Sequence, residues 1–122
     1  EFRRVLFRSE PGTHVIAAGS NNFTKREVDL ATIQRASLVA VDNLEQAKIE
    51  CGELMWAADR GEFRWQDAVE LHRVVSGAVV GPPAPDAITL FESQGIGIED
   101  VAGSVHVLRK ARAQGRGVEL PF

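Results

Sequence analysis

THVIAAGSNNFTKREVDLATIQRASLVAVD, residues 13–42, decides how this chain folds. It holds two short continuous apolar runs, THVIAA (13–18) and SLVAVD (37–42), joined by a polar loop and REVDLATIQRA (26–36), where Val28, Ile33 and Ala36 recur at near-helical spacing. Apolar runs without alternation suit strands covered on both faces, the situation of strands in parallel sheets. Strand, helix and strand in this order predict parallel pairing and an α/β layer architecture.

The same alternation continues downstream. Residues 44–60 read as a helix broken near Gly52, with Ala47, Leu54 and Met55 toward the core. WQDAVELHRVVS (65–76) places Ala68, Leu71, Val74 and Val75 as a third helical stripe. The prolines of GPPAP (81–85) exclude helix or central strand and predict a surface connection. ITLF (88–91) is a strand, ESQGIG a tight turn, and 98–113 the best helix in the chain. Its Ile98, Val101, Ala102, Val105 and Leu108 share one face, Glu99 and Asp100 begin it, Lys110 and Arg112 end it, and Gly115 stops it.

Composition bounds the function. At 122 residues, 44% hydrophobic and 25% charged, the chain has the make-up of one soluble globular domain. A net charge of -3 and a pI near 5.6 argue against nucleic acid as a partner. Arg3, Arg4 and Arg8 lie at the very start, so the remainder is more acidic still. No run approaches the roughly 20 apolar residues of a membrane helix, and the first nine residues lack a signal-peptide core, so a cytoplasmic location is expected. Cys51 is the one cysteine, which excludes an internal disulfide and a multi-cysteine metal site. His14, His72 and His106 have no metal-ligand spacing, so no metal is expected.

Open parallel sheets bind ligands at the carboxyl ends of their strands. Two loops suit that edge: residues 19–25 after the first strand and 92–97 after the last, both rich in small or polar residues. GIGIED lacks the third glycine and the distant acid of a dinucleotide fingerprint, and helix N-capping explains Ser93, Glu99 and Asp100 as well. Lys25 and Arg26 beside a Gly-Ser-Asn loop fit either a phosphate contact or an exposed helix start.

HVIAAGSNNFTKREVD, SLVAVDNLEQAKIECGEL, WQDAVELHRVVSG and ITLFESQGIGIEDVAGSVHVLRKARAQGRGVELPF resemble, in order and spacing, the C-terminal part of the ornithine cyclodeaminase/mu-crystallin family. TLFESQGIGIEDVA carries the resemblance most specifically. It implies the second half of a Rossmann-type NAD(P)-binding domain, from a homodimeric enzyme that moves hydride between the nicotinamide and the α-carbon of an amino acid or imino acid. NAD or NADP is the implied cofactor. Ala17, Ala18, Gly19, Ser20 and Lys25 match cofactor contacts, Ser93 a further one near the nicotinamide, and Gln94 a position touching substrate. Asn21 stands where ornithine cyclodeaminase proper has a proton-shuttling aspartate. A carboxamide cannot accept and return a proton near neutral pH, so the resemblance favours a ketimine reductase or amino-acid dehydrogenase over a full cyclodeaminase. A non-catalytic mu-crystallin-like binding protein is the other branch.

The resemblance begins at about Pro11 and supplies neither an N-terminal substrate domain nor the first glycine-rich βαβ turn, so the 122 residues alone are expected to be inactive. EFRRVLFRS (1–9) has no counterpart in the family and resembles a sequencing-library adapter translated in frame. The expected organisation is therefore an adapter-like segment at 1–9 followed by a truncated Rossmann-type domain at 10–122.

Overall fold

The computed structural model describes residues 9–82 and 84–121, so all of the adapter-like segment but Ser9 lies outside it, as does Pro83. The apolar runs form strands where the sequence places them: β1 (His14–Ala17), β2 (Ala36–Val41) and β4 (Ile88–Glu92). With β3 (Ala68–Glu70) they make one parallel sheet in the order β1-β4-β2-β3. Ala17, Glu92, Val41 and Glu70 stand in one row across the carboxyl edge of this sheet. The architecture is the parallel α/β class expected from the alternation, and it agrees with the Rossmann-type domain that the resemblance implies.

Among the described residues five α-helices accompany the strands: α1 (Leu30–Arg35), α2 (Leu44–Glu50), α3 (Gly52–Asp59), α4 (Leu71–Val75) and α5 (Gly97–Ala113). α1 is shorter than the near-helical spacing from Arg26 suggests. Asp29 caps it, its carboxylate accepting from Thr32 N at 2.9 Å and Thr32 Oγ1 at 2.8 Å. Residues 26–28 are held out of the helix by contacts of their own, described below. α2 begins on Asn43, whose Oδ1 accepts from Gln46 N, and the expected break before Gly52 falls at Cys51.

Residues 65–76 correct the sequence reading. Instead of one helix there is a 3-10 turn (Trp65–Asp67), then β3, then the short α4. Ala68, Val69 and Glu70 pair with Val39, Ala40 and Val41, so backbone hydrogen bonds to a buried strand outweigh a helical stripe too short to sustain a helix.

The core lies between sheet and helices. Leu54, Val41, Cys51, Ala47 and Ala57 are fully excluded from solvent, and Leu90 at the centre of β4 is 1% exposed. Trp56 covers the outer side of α3, with the guanidiniums of Arg26 and Arg60 at 5.0 and 4.0 Å from its ring centre. α5 keeps its expected bounds, yet its apolar face stays in solvent, Ile98 at 72% and Val101 at 62% exposure. Among the described residues no helix is long and apolar enough to cross a membrane.

Candidate functional site

Parallel register puts the ends of β1 and β4 side by side, Ala17 opposite Glu92. The next residue of β4's exit, Ser93, donates its backbone N–H to Ala17 O at 2.9 Å. The two loops singled out from sequence therefore leave the sheet as neighbours, which is the crevice geometry of nucleotide-binding α/β folds.

The first loop is tied from below. Gly19 N–H donates to Glu27 Oε2 at 2.7 Å, Ser20 Oγ donates to Lys25 O at 3.1 Å, and Glu27 N–H points to Glu53 Oε1 at 3.4 Å. Asn22 Oδ1 accepts from both the amide and the hydroxyl of Thr24. Two glycines of this region leave no room for a side chain as their neighbours stand. A Cβ on Gly19 would fall on the Glu27 carboxylate, and one on Gly52 would fall on the carbonyl oxygens of Phe23 and Lys25. Gly52 thus lets the loop close against the first turn of α3.

Gly19, Ser20 and Lys25 line one cleft of about 400 Å³ with Arg26 and Glu27. Ser20 is buried and Lys25 exposed, and Lys25 pairs with no carboxylate among the described residues. Bare backbone at Gly19 beside a lysine ammonium fits the close approach of a phosphate or ribose, so the residues present suit a dinucleotide. Asn21 is exposed and does not line this cleft; Ala18 is exposed as well. Gly19→Ala should cost about 1 kcal/mol in urea unfolding, the worth of the Gly19–Glu27 bond, because the flexible Glu27 side chain can swing aside. A cost above about 3 kcal/mol would mean that the carboxylate cannot move.

The second loop hangs on Asp42. Its Oδ2 accepts from Ser93 Oγ at 2.8 Å and from Gly95 N at 2.9 Å, while Gln46 Nε2 donates to Gly95 O at 3.0 Å. Gly95 adopts φ +77, a conformation that glycine alone takes without strain. Asp42 is 6% exposed and its Oδ1 meets no donor among the described residues. Gln94 is half-buried, its amide oxygen and nitrogen likewise unpaired.

Beneath both loops sits an acidic core. Donor atoms of Cys51, Glu53 and Glu92 lie within 4.8 Å of one another, all shut off from solvent. Burial, and then the charge of Glu53, push the Glu92 carboxyl up to about 9; burial also raises Glu53. The Cys51 thiol is pushed up as well, by burial and then by Glu92, and its Sγ donates to Glu92 Oε2 at 3.8 Å. A thiol kept protonated is a poor metal ligand. A proton on Glu92 would supply a donor between the two carboxyls, each of which has one oxygen without a partner among the described residues.

Sequence reasoning missed Glu27, Asp42, Glu53 and Glu92. An acid ending an apolar strand, as Asp42 does in SLVAVD, was the available signal. Glu92 after ITLF carries the same signal, whereas Glu27 and Glu53 act across the fold and leave no local pattern.

The model of the family described as ornithine cyclodeaminase/mu-crystallin matches residues 8–115. Alanine dehydrogenase of Archaeoglobus fulgidus is 34% identical over 93% of this chain and 35% of its own length. The structure of Thermococcus litoralis Delta(1)-pyrroline-2-carboxylate reductase in complex with NADH and L-proline superposes with a TM-score of 0.81 at 29% identity, over 91% of this chain and 34% of that one. An archaeal alanine dehydrogenase dimer with bound NAD gives 0.76 at 33% identity, over 93% and 35%. The chain thus spans about a third of the length of the proteins it matches.

Proposed function

Because the chain belongs to the ornithine cyclodeaminase/mu-crystallin family, we propose that it forms the nicotinamide-side half of an NAD(P) site. In the whole protein that site would serve hydride transfer with the α-carbon of an amino acid or cyclic ketimine. The observation that carries this reading is the hydrogen bond from Ser93 N to Ala17 O, which ties the start of the 93–97 turn to the end of β1, from which the 19–25 loop and its cleft follow. The relatives that bind NADH, NAD or proline support the same assignment.

NAD(P), when bound, supplies or takes the hydride. Ala17, Ala18, Gly19 and Ser20 offer it a close backbone approach, Lys25 a positive charge, and Ser93 a hydroxyl near the nicotinamide. Gln94 contributes an amide toward the substrate. Asn21 can hydrogen-bond a substrate or water without exchanging a proton, which favours ketimine reduction or amino-acid oxidation over ornithine cyclodeamination. A homodimer in the cytoplasm is the expected setting.

The test is NADH or NADPH oxidation by the whole protein with a panel of cyclic imino acids. Turnover is expected; tight cofactor binding without turnover would instead indicate a mu-crystallin-like binding protein. With ornithine and NAD, no proline and ammonia should form at ordinary enzyme rates, and their formation would contradict the reading of Asn21.

A further inference from the structure

The Ser93 hydroxyl has one hydrogen, and it is committed. It goes to Asp42 Oδ2 at 2.8 Å, and the Gly95 N–H reaches that same oxygen at 2.9 Å. Gln46 Nε2 holds Gly95 O from the other side, so the turn 93–95 is fixed through both its donor and its acceptor. A serine hydroxyl carries one donor and two lone pairs. With the donor spent on a nearly buried carboxylate, Ser93 has only lone pairs left for a ligand. The ligand group facing it must then bring the hydrogen. A ligand carboxylate would bring none, and its charge would stand near that of Asp42.

We propose that Asp42 is a positioning residue that turns Ser93 into an obligate hydrogen-bond acceptor, making this turn select a carboxamide NH2, as on nicotinamide, over the carboxylate of nicotinate. The proposal rests on the reading of Ser93 as a contact near the nicotinamide. Asp42 need not touch the ligand; it acts through the orientation of Ser93 and Gly95.

The experiment titrates the ¹⁵N-labelled 122-residue chain with nicotinamide mononucleotide and, separately, nicotinic acid mononucleotide. The two share ribose and phosphate, so the weak affinity expected for both cancels in their ratio. The unsubstituted chain should prefer the carboxamide by about tenfold, the worth of one hydrogen bond to a partly buried group. Asp42→Ala removes the oxygen that holds both hydrogens and frees the Ser93 hydroxyl to donate, and Ser93→Ala removes the lone pairs; each should bring the ratio within about threefold. Ser93→Thr keeps the hydroxyl and should keep the ratio. Ser93→Ala changes only a half-buried hydroxyl, so it reports even if Asp42→Ala fails to fold. Equal binding of both mononucleotides by the unsubstituted chain, or an unchanged ratio in Ser93→Ala, would overturn the role given to Asp42. If neither mononucleotide shifts the amides of Ser93 or Gly95, the nicotinamide-side reading itself fails, and the proposal with it.

Discussion

Gly52→Ala should detach the 19–25 loop from α3 and lower stability by roughly 1–3 kcal/mol, the range for forcing an extra methyl into a packed site. Alanine in a helix would by itself gain up to about 1 kcal/mol over glycine. That gain loses here because the atoms in the way are the carbonyl oxygens of Phe23 and Lys25, and backbone cannot rotate aside as a side chain can. The loop must move as a unit, and the Ser20 bond to Lys25 O, at 3.1 Å, goes with it. Urea unfolding measures the cost, and hydrogen exchange at the Lys25 amide, bonded to Asn22 O at 2.9 Å, measures the loop opening. A variant as stable as the parent, with Lys25 exchange unchanged, would show that the loop does not rest on α3.

Glu92→Gln should stabilise the chain above neutral pH and leave it unchanged near pH 4.5. In the folded chain burial and the neighbouring Glu53 raise Glu92 from 4.5 to about 9. Below the ordinary value both folded and unfolded states hold the proton. Between 4.5 and about 9 the unfolded chain has lost it while the folded chain keeps it, so stability falls as pH rises through this window, by about 1.4 kcal/mol per unit at the steepest. Above that window there is no further loss from this group. Glutamine has no such proton, fills the same space and can still accept from Cys51 Sγ. Glu53 shares the cluster's proton and retains part of the slope, so the expected gain at pH 8 is about 1–3 kcal/mol. Thermal or urea unfolding at pH 4.5 and pH 8 decides the matter, and a Glu92→Gln variant less stable than the parent at pH 8 would contradict a protonated Glu92.

The elements that sequence made legible are those whose local pattern and tertiary role agree. THVIAA, SLVAVD and ITLF are strands of one parallel sheet; Val41 and Leu90 are buried in it as the pattern demands, whereas Ile16 on the edge strand β1 stays 61% exposed. Gly52 marked the break between α2 and α3, and Gly115 the end of α5. The stretch 65–76 misled because Ala68 and Leu71 suit a helical stripe as well as a strand followed by one helical turn. Only the pairing with Val39–Val41 chooses between them. Residues 26–28 likewise left the helix for distant partners, Glu27 bonding Gly19 through its carboxylate and Glu53 through its amide. Of the candidate site, the residues proposed to face the ligand were visible through their resemblance to the family, whereas the carboxylates that hold their loops were not. Asp42 reaches Gly95 across more than fifty residues of chain, and no spacing rule encodes such a bond.

The central claim, that the 19–25 loop and the 93–97 turn together form one half of a dinucleotide site, is tested most directly by titrating the ¹⁵N-labelled chain with NADH at millimolar concentration. The amides of Gly19, Ser20, Lys25, Ser93 and Gly95 should shift together on one binding curve. Shifts confined to residues outside both loops, or no shifts at all, would contradict it.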